Sequence, residues 1–169
     1  MRSVEFEVRR MIEDDWERYR AIRLEMLADT PSAFGETLAS AESRDEVAWR
    51  DRLAASQGDS SVRFAAVLTS GDWSGAIGGY IKLNAGPGLV GVYVAPRFRG
   101  DDRGVTSALI AAVEDWARGH ADSIRLDVHE SNTRARKAYA KRGYVETGHT
   151  QPYPLDPMQF EVEMVKQLR

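Results

Sequence analysis

The chain contains no cysteine. Disulfides, thiolate nucleophiles, iron–sulfur centres and cysteine zinc sites are therefore excluded. Histidine is almost as scarce. His120, His129 and His149 are scattered without metal-ligand spacing, so no metal is expected. No uncharged run is long enough to cross a bilayer. The opening residues, MRSVEFEVRR, lack the apolar core of a secretory signal. The expectation is a cytoplasmic protein without membrane contact. An excess of positive charge is also missing, since the net charge is -3. The basic clusters at Arg97–Arg99 and Arg134–Lys137 carry no aromatic stacking platform, so nucleic acid is not an expected partner.

What is present fits one globular unit. A chain of 169 residues, 43% of them hydrophobic, is long enough to bury a core unaided. A single domain over residues 1–169 is expected. Val4, Phe6 and Val8 alternate with charged residues, the period-two signature of a strand. A helix follows with Trp16, Tyr19, Arg23 and Leu27 on one side, and Pro31 stops it. SRDE at Ser43–Glu46 has capping-box spacing and predicts a second helix to about Ala55. Strands are predicted around Val62–Leu68, Ile77–Leu83 and Leu89–Val94, separated by glycine-rich turns. Val105–Trp116 repeats its apolar residues every three to four positions and reads as a helix. A strand at Ile124–Val128, a helix over Asn132–Arg142, and strands at Tyr144–Thr147 and Phe160–Val165 complete the chain. The loop between the last two holds Pro152, Pro154 and Pro157. The order β-α-α-β-β-β-α-β-α-β-β implies an α/β fold, with a mixed sheet of about seven mostly antiparallel strands and helices on both faces.

The most informative stretch is Leu89–Ile110, LVGVYVAPRFRGDDRGVTSALI. A strand ends at Pro96, an arginine- and glycine-rich loop follows, and a helix starts at once. First-turn N–H groups lack partners within a helix and, with its dipole, attract phosphate. Gly100 and Gly104 permit left-handed backbone and close approach. Neither the dinucleotide fingerprint nor a P-loop is present. A loop whose glycines only turn the chain is the bland alternative.

Here the sequence resembles the GCN5-related N-acetyltransferase (GNAT) superfamily. V-x-V-x-P matches at Val92, Val94 and Pro96, and R-G at Arg99 and Gly100. G-V-x-x-A-L matches at Gly104, Val105, Ala108 and Leu109. The family's second motif, N-x-x-A-x-x-x-Y-x-x-x-G-[FY], matches at Asn132, Ala135, Tyr139, Gly143 and Tyr144. The likeness covers essentially the whole chain. One departure stands out. Asp101, Asp102 and Arg103 lengthen the loop before Gly104, and Thr106 replaces the usual small residue. The expectation is that the two aspartates bulge into solvent and Arg103 compensates their charge.

The resemblance implies direct acetyl transfer from acetyl-CoA, as cosubstrate, to a primary amine of a small molecule or peptide. It assigns cofactor binding to Val92, Tyr93, Val94, Arg99, Gly100, Arg103, Gly104, Val105, Thr106, Ser107 and Asn132. It makes Tyr139 the general acid to the CoA thiolate. A CoA-binding sensor or inactive relative is the rival reading. The general base is open among Glu36, Tyr93, Asp127, His129 and Glu130. Arg136 is placed either near the phosphates or on an exposed face. Phe34, Trp49 and Tyr153 are candidates to line the acceptor site, with Asp29 and Glu36 as an acidic wall. Homodimers are common in the family, and this sequence displays no interface.

Overall fold

A computed structural model describes residues 4–100 and 103–169. The described residues form a seven-stranded sheet in the order β1-β2-β3-β4-β5-β7-β6. The strands are β1 (Phe6–Arg10), β2 (Ser61–Leu68), β3 (Trp73–Lys82), β4 (Gly86–Val94), β5 (Ser123–His129), β6 (Val145–Tyr153) and β7 (Asp156–Gln167). All neighbouring pairs are antiparallel except β4 and β5. The predicted mixed α/β sheet is thus observed.

Helices cover both faces. α1 (Trp16–Asp29), α2 (Leu38–Glu42) and α3 (Glu46–Ala54) lie on one, where Tyr19, Ile22, Met26, Leu27, Trp49 and Leu53 are buried. On the other, α4 (Val105–Arg118) sinks Val105, Leu109, Ile110, Val113 and Ala117 against Ile77, Ile124 and Leu126. α5 (Thr133–Lys141) borders the same core through Ala135 and Tyr139 but buries no residue fully. No described helix is long and apolar enough to cross a membrane.

Two predicted details are corrected, and the apolar side of α1 gains one residue. α1 buries Ile22 together with Tyr19, Met26 and Leu27, and Arg23 flanks this face with its guanidinium 5.6 Å from the Phe34 ring. Asp45 caps α3 by accepting the Ala48 N–H at 2.9 Å, two residues beyond the predicted cap at Ser43, and α2 precedes it. The proline-rich segment is a loop only at its tip: β6 and β7 form one long hairpin with Pro154 in the turn between them, and Pro152 pairs opposite Phe160. β6 is the sheet edge, where a missing N–H costs no ladder bond.

Two features of β4 position the site. Between Val90, opposite Gly78, and Tyr93, opposite Ala76, Gly91 and Val92 face the single residue Ile77. This two-to-one count is a β-bulge, and Gly91 adopts φ +63°, the left-handed geometry that glycine accepts without strain. On its other side β4 meets β5 at only one register pair, Gly88 with Arg125. The strands then part, and the edge of β4 from Leu89 to Val94 has no sheet partner on that side.

Candidate active site

The fork between β4 and β5 holds two adjoining cavities of about 310 and 300 Å³. Both are lined by Ala33, Phe34, Val92, Asn132, Ala135 and Tyr139, so they meet beneath α5. The smaller runs toward the start of α4 past Val94, Arg99, Gly100, Thr106, Arg134 and Arg142. The larger opens on the opposite side past Tyr80, Asp127, Gln151 and Glu161.

The start of α4 suits an anion. Gly104 takes φ +73° and places no side-chain cap on the helix. Ala108 N–H returns to Gly104 O at 3.0 Å, while the N–H groups of Val105, Thr106 and Ser107 have no partner among the described residues. Free first-turn amides with the dipole behind them form a phosphate site. Arg134 and Arg142 add positive charge to the wall. Arg142 also donates to Ser107 Oγ at 3.2 Å and to Ala138 O at 3.0 Å, tying α5 to α4.

Of the predicted cofactor residues, Val92, Tyr93, Val94, Arg99, Gly100, Thr106 and Asn132 line this cavity together. Arg103, Gly104, Val105 and Ser107 belong to the adjoining turn and first helical turn. Arg99 is a brace more than a free cation: it donates to Val94 O at 2.7 Å, pairs with Asp29 and lies 5.5 Å from the Tyr93 ring. Asp101 and Asp102, and with them the expected solvent bulge, lie outside the described residues. Asn132 caps α5, its Oδ1 accepting the Ala135 N–H at 3.2 Å, a contact worth about 1 kcal/mol.

Tyr139 stands where the two cavities join. Its surroundings strip water from the phenol and push its pKa up to about 12, with Arg142 pulling weakly the other way. Its ring meets that of Tyr144 edge-on, with centroids 5.8 Å apart. Tyr144 is buried and donates to Glu114 Oε1 at 3.0 Å, and Lys166 Nζ reaches both Glu114 oxygens at 3.0 and 3.1 Å.

The candidate bases separate sharply. Glu36 is clamped by Arg23 at 2.8 Å and by Arg44; burial raises its pKa, but these arginines outweigh it and the net shift is downward. Tyr93 is buried and donates to Glu25 at 3.1 Å; burial and then Glu25 drive its pKa far above the ordinary phenol. His129 Nδ1 accepts the Ser131 N–H at 3.1 Å, its Nε2 lies 2.6 Å from Gln159 Oε1, and its ring packs on Tyr153. Glu130 accepts the Phe160 N–H outside both cavities. Asp127 alone of the five lines the larger cavity, and its carboxylate has no hydrogen-bond partner among the described residues. Burial, then Glu161 and Glu163, raise its pKa, opposed by Lys82 and His149.

Other expectations change. Arg136 bonds Glu146 at 2.8 Å and Glu130 O at 2.9 Å, on the outer side of α5. Trp49 is fully buried core. Phe34 lines both cavities, and Tyr153 stands behind it, donating to Phe34 O at 2.7 Å. Asp29 and Glu36 are each neutralised by arginine, so the acidic wall is formed by Asp127 and Glu161.

Residues 10–144 match the sequence model of the Acetyltransferase (GNAT) family. The chain belongs to the GNAT family. No curated protein sequence matches the chain significantly. Solved structures of the family share the fold. A GNAT acetyltransferase from Streptococcus pneumoniae superposes with a TM-score of 0.80 at 18% identity, covering 96% of this chain and 99% of that one. A GCN5-related N-acetyltransferase from Kribbella flavida gives 0.74 at 23% identity, covering 96% and 97%. The PaiA N-acetyltransferase from Thermoplasma acidophilum, in complex with coenzyme A, gives 0.70 at 19% identity, covering 96% and 99%. Family membership makes acetyl-CoA-dependent acyl transfer the general chemistry of this GNAT chain.

Gly91, Tyr80, Arg134, Arg142, Gln151 and Glu161 escaped the sequence reading. A glycine inside the apolar run V-G-V-Y-V is itself a bulge signal. Tyr80, Gln151 and Glu161 carry no local signal, because sheet topology alone brings β3, β6 and β7 to one cavity.

Proposed function

We propose that this GNAT chain acetylates a primary amine, with acetyl-CoA in the smaller cavity and the amine entering through the larger. The single observation that supports this most is Tyr139, a protonated phenol at the junction of the two cavities. Acetyl-CoA supplies an activated acyl carbon and a sulfur leaving group. The chain's own residues do the rest. The unpartnered amides at Val105, Thr106 and Ser107 hold the phosphate end, while the open β4 edge at Val92–Val94 accommodates the extended arm. Fixing both partners in one fork lowers the entropic cost of their meeting.

Protons then move at named atoms. A charged amine must lose a proton before it attacks, and Asp127, without a hydrogen-bond partner and with a raised pKa, is the base in reach of the acceptor cavity. Tyr139 keeps its proton throughout the neutral range and gives it to the departing sulfur. It is reprotonated from the second amine proton through solvent. One proton is released to bulk per amide formed.

Thiol release measured with acetyl-CoA over a panel of amines and peptide N-termini tests the proposal, with mass spectrometry of the product. An N-acetylated amine formed in step with free thiol is expected. Acetyl-CoA binding without any product across the panel contradicts the transfer reading.

A further inference from the structure

The acceptor cavity carries more negative charge than one reacting amine requires. Asp127 on β5 and Glu161 on β7 both line it. Asp127 pairs in register with Glu163, so Glu161 is its diagonal neighbour on the same sheet face, roughly 7–8 Å away. The only cation among the described residues of the wall, Arg23, is taken by Glu36 at 2.8 and 3.0 Å. Lys82 and His149 temper the field at Asp127 but are not among the lining residues. Two carboxylates therefore face one cavity without a cation of their own.

The surroundings of Glu161 are built for contact. Gln151 Nε2 donates to Glu161 Oε2 at 2.9 Å, which fixes the carboxylate and leaves Oε1 without a partner among the described residues. Beside it stands Tyr80, whose phenol also has no hydrogen-bond partner among them. Its ring lies against Gly88, the residue at which β4 and β5 part. A Cβ on Gly88 would come within 2.9 Å of the Tyr80 ring. Any larger residue there would displace the ring, so glycine lets the Tyr80 ring lie over the point where the strands part, in the cavity wall. An oriented carboxylate, an unpartnered phenol and an aromatic face make a receptor for an ammonium group.

Resting on the transfer reading above, we infer that the acceptor is an aliphatic amine bearing a second cationic group, the reacting nitrogen lying at Asp127 and the second ammonium between Glu161 and Tyr80. A short diamine and a peptide with a basic side chain beside its free amine share this chemistry. The short diamine is the smaller of the two, and diagonal cross-strand carboxylates roughly 7–8 Å apart suit its two ends.

The test compares 1,4-diaminobutane, n-butylamine and 4-aminobutyrate as acceptors, with a peptide carrying N-terminal lysine as a further arm. Thiol release gives kcat/KM. Calorimetry of each amine against the CoA-loaded protein gives affinity independently of turnover. The diamine should exceed n-butylamine by roughly tenfold or more, the ratio carried by one hydrogen bond to a charged group, and 4-aminobutyrate should be the poorest. Glu161→Gln and Tyr80→Phe should each reduce the diamine-to-monoamine ratio while leaving acetyl-CoA affinity in place. A better peptide than diamine assigns the same subsite to peptides. Diamine binding that is sensitive to Glu161→Gln, without acetylation, supports the subsite and contradicts only the transfer reading. Acetylation of all three small amines with equal kcat/KM, unmoved by Glu161→Gln, overturns the inference while transfer stands. Absence of both binding and turnover with every one of these amines overturns the inference, and the wider amine panel above decides the transfer reading separately.

Discussion

The ring of Tyr139 rests edge-on against the ring of Tyr144, with centroids 5.8 Å apart. α5 buries no residue fully, so its placement depends on anchors of this kind. Tyr144 is held by the buried Glu114 carboxylate, and Glu114 by Lys166. Backbone bonds from Arg142 and Tyr144 to Tyr139 O, at 2.9 and 3.1 Å, lock the helix end to the same point. The Tyr139 phenol is thus positioned from behind by a charged network outside both cavities.

Glu114→Ala should lower unfolding free energy by roughly 1–3 kcal/mol, because the buried Tyr144 hydroxyl loses its acceptor and the partly exposed Lys166 its counter-ion. Tyr144→Phe removes one hydrogen bond and should cost about 1 kcal/mol. Urea denaturation measures both. If the network positions Tyr139, Glu114→Ala also lowers kcat in the folded fraction with little change in KM for acetyl-CoA. An unchanged kcat would leave the network a purely structural role.

Asn132 serves two ends, as the α5 cap and as a wall of both cavities. Asn132→Ala should cost about 1 kcal/mol of stability and weaken acetyl-CoA binding. Asn132→Asp keeps the capping oxygen and should restore the stability alone. Calorimetry and thermal melting on the two variants separate the roles.

Much of this arrangement was legible in the sequence. The apolar stripe of α4 was visible because a helix packed on a sheet must repeat every three to four residues. The Asn132 cap was visible because capping chemistry is local. The β6–β7 hairpin was not. Pro152 and Pro157 read as loop residues, and two tertiary facts make them tolerable: β6 is the sheet edge, and at Pro157 β7 has run past its pairing with β5, which ends at Glu161. α2 was missed because five residues are too few to display a period. Asp127 emerged from five candidates only once the partners of the other four were known. Glu161 and Tyr80 meet at one cavity from strands far apart in the chain, which no local pattern encodes.

Asp127 gives a prediction of opposite signs for stability and activity. Its pKa is raised in the fold by burial and by Glu161 and Glu163. The native state therefore binds this proton more tightly than the unfolded chain does. Stability associated with it is present below the ordinary aspartate range and is lost as pH rises through the raised native value. At neutral pH Asp127→Asn removes carboxylate repulsion and should stabilise by roughly 0.2–1 kcal/mol, the scale of a cross-strand charge pair. The same change should lower kcat/KM by about 10²-fold or more if Asp127 is the base. In the wild type the acidic limb of kcat/KM should lie above the ordinary aspartate pKa and should vanish in Asp127→Asn. A more stable variant with full activity and an unmoved limb would assign the base elsewhere.

The most direct test of the account is the rate of thiol release by Tyr139→Phe at saturating acetyl-CoA and amine. Loss of a positioned acid predicts a fall of about 10²-fold or more, with the acetyl-CoA dissociation constant nearly unchanged and no decline of the wild-type rate from tyrosine ionisation near pH 10, since the phenol titrates at about 12. A Tyr139→Phe protein that releases thiol at the wild-type rate would contradict it.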